Sequence, residues 1–173
     1  MTLEGIIFKL GLPLLVAVIG ITVVLLGYVK APPDEAVIIS GIKKVPRIIR
    51  GRAAVMIPFF ERKDKLTLKV IKIDVKTKES VPTQEFINVN VDAVVTVKIS
   101  DAEDLLPIAA QNFLNRDEAY IQAIVGEVLE GNVREIVGTM TLESMISNRQ
   151  EFALKVQQNA VPDMQKMGIE IVS

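Results

Sequence analysis

From Leu10 to Val29 the chain reads LGLPLLVAVIGITVVLLGYV, without one charged residue, whereas every later stretch mixes charged with apolar positions. A helix of that length covers roughly 30 Å, the hydrocarbon thickness of a bilayer. The pattern predicts a transmembrane anchor over residues 10–29 behind a short segment, 1–9, with Leu10, Leu14, Leu15, Ala17, Gly20, Val24, Gly27 and Tyr28 as its marker residues. A cleaved signal peptide is the rival reading. Its apolar core is typically about 7–15 residues and precedes a small-residue cleavage site, for which Val29-Lys30-Ala31-Pro32-Pro33 is a poor match. A core helix or a re-entrant hairpin is a third. Ala17, Gly20 and Gly27 share one helix face that can pack against another span, although glycine is also common in membrane helices for its own sake. Tyr28 is an interfacial aromatic, and Lys30 can snorkel beside it.

Past Pro32 and Pro33 the period shortens to that of strands. Ala36 to Ile39 is a buried run ending at Gly41, and Val45 to Ile49 and Ala53 to Ile57 flank Arg50-Gly51-Arg52 as a hairpin. Leu66, Leu68 and Val70 are even-numbered, but Ile71, Ile73 and Val75 are odd. Side chains alternate faces along a strand, so this parity change predicts a bulge near Val70. Phe86 to Ile99 is the clearest strand, with every odd position from Ile87 apolar.

At Ser100 the period becomes helical. Ser100 with Glu103, Asn115 with Glu118, and Ser147 with Gln150 have capping-box spacing or a close variant. They predict helices of which the longest runs from Arg116 to Val137 and stops at Gly138. A last helix starts near Asn148, is interrupted or kinked at Pro162 and ends at Gly168, and Ile169 to Val172 returns to strand. The fold class is α+β: an N-terminal transmembrane helix, a strand-rich part over residues 30–99, and a helix-rich part over 100–173 with a closing strand.

Composition then narrows the chemistry. With no Cys, no His and no Trp, disulfides, thiolate or imidazole metal sites and His-dependent triads are excluded. No catalytic, cofactor or metal residue is assigned. A formal net charge of −1 shows no basic excess, so nucleic acid is not an expected partner. Only Lys9 precedes the apolar run, whereas Lys30, Lys43, Lys44 and Arg47 follow it, which puts the long C-terminal part in the cytoplasm.

Lys63, Lys65, Lys69, Lys72, Lys76 and Lys78 suggest anionic lipid, yet interleaved Glu61, Asp64, Asp74 and Glu79 favour a solvated strand face. The acidic group Asp101, Glu103 and Asp104 suits a helix N-terminus. Ile57-Pro58-Phe59-Phe60 is either core or a loop tip that enters a bilayer interface. Arg134, Glu135, Arg149 and Glu151 read as subunit-contact or surface pairs.

The order of anchor, Ala31-Pro32-Pro33-Asp34-Glu35-Ala36, Pro-Phe block and long alternating strand is followed by VREIVGTMTLESMISNRQEF from Val133 to Phe152 and by Met167 to Ser173. It resembles the SPFH (band-7) domain of stomatins, prohibitins and flotillins, most of all the bacterial flotillins. The resemblance implies a domain whose first half lies against the membrane. It also implies a long Ala/Glu-rich coiled coil beyond residue 173, and hence a longer scaffold. Thr2 in place of the glycine needed for N-myristoylation, and the lack of Cys to palmitoylate, favour a membrane-spanning prokaryotic form at the cell membrane.

Two functions follow as expectations. The first is a membrane-anchored large homo-oligomer that organises lipid microdomains and recruits or confines other membrane proteins, with membrane lipids and these clients as partners. The alternative is a membrane-tethered regulator of one integral membrane protein, such as a protease or channel. An enzyme is not expected.

Overall fold

The computed structural model describes residues 3–41 and 46–173, with the side chains of residues 3–12, 16 and 19 outside that description. The chain divides into two compact units, 1–65 and 66–173.

The first unit opens with helix α1, Leu3–Gly27, so helix already occupies most of the expected segment 1–9. It ends before Tyr28, which starts strand β1, Tyr28–Lys30, rather than closing the anchor. Thr22 Oγ1 donates to the Val18 carbonyl at 2.8 Å, so the hydroxyl is satisfied within the helix. Among the described residues, no helix is long and apolar enough to cross a membrane. The expected anchor residues Leu14, Leu15, Ala17, Gly20 and Val24 lie on α1 and are exposed, while the side chain of Leu10 lies outside the described residues.

Strand β1 pairs with β4, Ala53–Val55, in antiparallel register, Tyr28 opposite Val55. A second sheet has the order β3-β2-β5, from Glu35–Ser40 (β2), Arg47–Arg50 (β3) and Arg62–Thr67 (β5). The expected hairpin about Arg50-Gly51-Arg52 is therefore not one. The turn, with Gly51 at φ 58, carries the chain from β3 in one sheet to β4 in another. Val45, Lys43 and Lys44 lie outside the described residues. One small cluster, Val29, Ala31, Val37, Ile39 and Ile49, has Ala54 and Met56 packed against it, and Ala36 and Ile38 of β2 are buried as well.

The second unit is built on a sheet of order β10-β9-β6. Strands β6 (Val70–Lys76) and β9 (Asp92–Ile99) pair antiparallel along their length, and β10 (Ile169–Ile171) closes the other side of β9. The parity change near Val70 marks this boundary and not a bulge: β5 belongs to one sheet and β6 to another. The long strand expected from Phe86 is also shorter. Asn88–Val89 (β8) pairs with Val81–Pro82 (β7), and Phe86 and Ile87 sit in the turn between them.

Ile71, Ile73, Val75, Val97 and Ile99 are buried on one face of the sheet, where α3 packs on β6. Helix α2, Leu106–Phe113, has no side-chain cap, so Ser100 does not cap it. Helix α3, Glu118–Thr139, is capped by Asp117, whose carboxylate accepts the Tyr120 amide at 3.0 Å. Asn115, the expected cap, sits at φ 56. Thr141 caps the short α4, Leu142–Ser147, and α5, Arg149–Met167, runs through Pro162 without ending.

Gly168 ends α5 in the left-handed conformation, φ 79, as expected. An added Cβ there would lie 2.5 Å from the Ala109 nitrogen, so α2 and the end of α5 approach as only glycine allows. The expected division at 99/100 does not coincide with this architecture, because β6 and β9 form the floor under the helices.

Candidate membrane-interface site

The first unit gathers exposed apolar side chains around the end of α1. Val24, Leu25 and Leu26 are exposed in its last turns, and Tyr28 with its cross-strand partner Val55 continue the exposed surface onto the sheet. The two elements are locked together at Gly27. Its carbonyl accepts the Met56 amide at 2.8 Å, and a Cβ on it would lie 2.0 Å from the Met56 carbonyl oxygen. Gly27 therefore serves its own domain, which removes it from the interhelical face it was expected to share with Ala17 and Gly20. Gly20 has open space around it.

Directly after Met56 comes the Pro-Phe loop. Ile57 is exposed, Phe60 is 71% exposed and Phe59 fully so, which answers the open question about this loop: neither phenyl ring belongs to the core. Two backbone bonds close the turn, from the Phe60 and Glu61 amides to the Ile57 carbonyl. Glu61 then fastens it from inside. Its Oε2 accepts the Ile57 amide at 2.8 Å, and its Oε1 takes the Arg47 guanidinium at 2.6 Å.

The Glu61 side chain is only 5% exposed, so its charge is compensated by a cation and an amide rather than by water. Gly41, at φ 145, lets the Phe60 carbonyl come within what would be 2.3 Å of a Cβ. The loop is thus rigid underneath and apolar on top. Phe59 holds φ 71, a conformation uncommon for an aromatic residue, and no burial of its ring offsets the strain.

The expected subunit-contact residues behave differently from one another. Arg134 reaches back one turn to Glu130 at 3.1 Å. Glu130 is buried and also accepts the Lys78 amide at 3.1 Å, so this cluster fastens α3 to the segment after β6. Glu135 accepts from Asn159 Nδ2 at 3.0 Å, and the same amide donates to Asn132 Oδ1 at 3.0 Å, which makes a polar seam between α3 and α5. Glu151 pairs with Lys155 at 2.9 Å on its own helix. The Lys155 hydrogen bond and charge hold its carboxyl below the usual range, and Asn148 adds to this against slight desolvation. Arg149, exposed in the first turn of α5, makes no ion pair among the described residues.

The lysine series is solvated and largely paired, Lys65 with Glu35 at 3.0 Å and Lys76 with Asp92 at 3.2 Å. Arg47 and Glu61 stand out in the sequence only as a cation after the apolar run and an acid among the lysines; their pairing, which orients the aromatic loop, leaves no periodic signal because the two are fourteen residues apart. The alternating pattern places Phe86 in a strand, but it stands at φ 60 in a turn, 91% exposed.

A family model described as SPFH domain / Band 7 family matches residues 29–173. The chain belongs to that family. This SPFH chain is 34% identical over 180 residues to flotillin-like protein FloT of Bacillus subtilis (strain 168), covering 97% of the chain and 35% of that protein. It is 35% identical over 144 residues to flotillin-2 of Carassius auratus, and 33% over 143 residues to flotillin-1 of Homo sapiens, in each case 82% of the chain and 33% of the relative. The chain spans about a third of the length of these flotillins.

Proposed function

We propose that this chain is the membrane-proximal part of a homo-oligomeric scaffold at the cell membrane, carried by the apolar part of α1, residues 10–27, as a single-pass anchor with the SPFH domain on the cytoplasmic side. Copies gather in one leaflet, organise lipid microdomains and recruit or confine other membrane proteins. The observation that supports it most is the run of exposed apolar side chains from α1 through Tyr28, Val55 and Ile57 to Phe59 and Phe60. A surface of that kind is costly in water and favourable at a bilayer interface, where each buried large side chain contributes about 1.5–3 kcal/mol. The similarity to flotillins supports the same reading, as does the uncharged run from Leu10 to Val29.

The absence of Trp makes the test clean, because a single introduced indole is the only one present. In the chain reconstituted into phosphatidylcholine–phosphatidylglycerol vesicles, Phe59→Trp and Phe60→Trp are expected to emit at short wavelength and to be quenched by lipids brominated near the head group. An indole at either position that stays unquenched would remove the loop from the interface. Protease added to right-side-out cells is expected to spare the domain, and digestion there would reverse the topology. A chain that remains monomeric in the membrane, or binds one client one-to-one, would replace the scaffold by a regulator of a single membrane protein.

A further inference from the structure

We propose that copies of this chain join head to tail through their second units, Phe86 of one copy seating in an apolar groove between β9 and α5 of the next. The proposal rests on the self-associating scaffold reading and names the contact. Two surfaces of the same unit carry it.

The first is the β7–β8 turn. The Thr83 amide donates to the Ile87 carbonyl and the Phe86 amide to the Thr83 carbonyl, both at 2.9 Å, and Thr83 Oγ1 accepts the Ile87 amide at 3.2 Å. Thr83 is buried, and the next residue, Gln84, is held by the Met140 carbonyl at 3.1 Å. This stiff tip projects Phe86, 91% exposed, at φ 60, where a hairpin turn ordinarily takes glycine or asparagine. Glu85 stands beside it, exposed and without an ion pair among the described residues.

The second is a groove of about 320 Å³ with walls that include Val94, Leu129, Val133, Phe152 and Val156. Val94, on its lip, is 61% exposed, so the groove opens outward. Arg149 stands on its rim and makes no ion pair among the described residues.

Knob and groove match in chemistry: an aromatic ring beside the Glu85 carboxylate on one side, an apolar slot beside the Arg149 guanidinium on the other, neither charge in an ion pair among the described residues. Phe86 does not fill its own groove, because it is exposed. The two surfaces are different patches of one unit, so the contact is heterologous, and repeated copies propagate into a ring or an open chain rather than a two-fold dimer. Copies held in one leaflet need only weak contacts of this kind, since co-localisation raises their effective concentration.

The chain has no Cys, which makes directed cross-linking specific. With the vesicle-reconstituted chain, Glu85→Cys alone and Arg149→Cys alone are expected to give no disulfide dimer. A mixture of the two gives a dimer, and the chain carrying both gives a ladder. Phe86→Ser is expected to lower the yield about tenfold with unchanged thermal stability, since the ring is exposed. Glu85→Arg or Arg149→Glu singly weakens association, and the two together restore it.

Abundant dimer from either single-cysteine variant would overturn the head-to-tail arrangement in favour of a two-fold one. Absence of cross-links in a chain that other mass measurements show to be oligomeric would overturn this contact and leave the scaffold standing. A monomeric chain in membranes would overturn both.

Discussion

Up to Lys65 the buried apolar residues are Val29, Ala31, Ala36, Val37, Ile38, Ile39 and Ile49, none of them aromatic, with Phe59 and Phe60 exposed; from Leu66 onward the core takes Phe113, Ile121, Leu129 and Met164. The second unit removes large side chains from water and covers its sheet with α3 and α5, so its stability is its own. The first unit spends its aromatic residues on the surface and keeps them in place with a buried carboxylate and two glycines. That is the arrangement of a unit completed by what it touches. A small core gains little from burial, and exposing large apolar groups forgoes about 1.5–3 kcal/mol for each one that burial would have supplied.

The contrast is open to experiment, and the largest effect is expected where the second unit is packed most tightly. Gly168→Ala drives a methyl into the Ala109 backbone and takes a left-handed residue away from glycine. A loss of about 2–4 kcal/mol in urea unfolding follows from the clash and the strain together. Gly131→Ala on the exposed side of α3 meets open space and should gain about 0.5–1 kcal/mol. Equal responses at the two glycines would mean that the second unit is not close-packed.

A smaller loss, about 1–3 kcal/mol, is expected for Gly27→Ala, whose methyl collides with the Met56 carbonyl at the junction of α1 and β4. Hydrogen exchange locates it. Amides of β1 and β4 should lose protection while those of β6 and β9 keep theirs. Loss of protection in both sets would show that the units unfold as one.

The smallest effect is electrostatic. The hydrogen bond and charge of Lys166 hold the Asp163 carboxyl below its ordinary range, with a contribution from Asn132 and slight opposition from desolvation. A depressed folded value means that the stabilisation is complete above the unfolded value, near about 4, and is lost as pH falls through the lower folded one. The same sign applies to Glu151 with Lys155. Both pairs are exposed, so salt should screen them, and NMR titrations of the two carboxyls at low and at 1 M salt check this. A shift that survives high salt would put these groups in a drier site than the α5 surface.

For helix periods and the left-handed cap the sequence was sufficient, but not for the N-caps, since Asp117 rather than Asn115 caps α3 and α2 has no side-chain cap. The period of the apolar positions located α3, α5 and the closing strand, and Gly168 marked the end of α5, because helix periodicity and the left-handed cap depend on neighbours a few residues away. The family could be read from Val133 to Phe152 and from the residues after Met167 for the same reason. The apolar run from Leu10 to Val29 was visible as one block, though its last residues turned out to be strand.

What only the tertiary structure decided were the pairings between distant segments. A parity change near Val70 is the same in sequence whether it makes a bulge or passes the chain to another sheet, since register is set by the partner strand. The turn at Gly51 is likewise silent about which strands it joins. Whether Phe59 and Phe60 face core or solvent depends on Gly27 meeting Met56 and on Glu61 reaching Arg47, and the exposure of Phe86 depends on β7 pairing with β8. An apolar side chain records that burial is favourable for it, but what covers it is fixed by the chain packing around it.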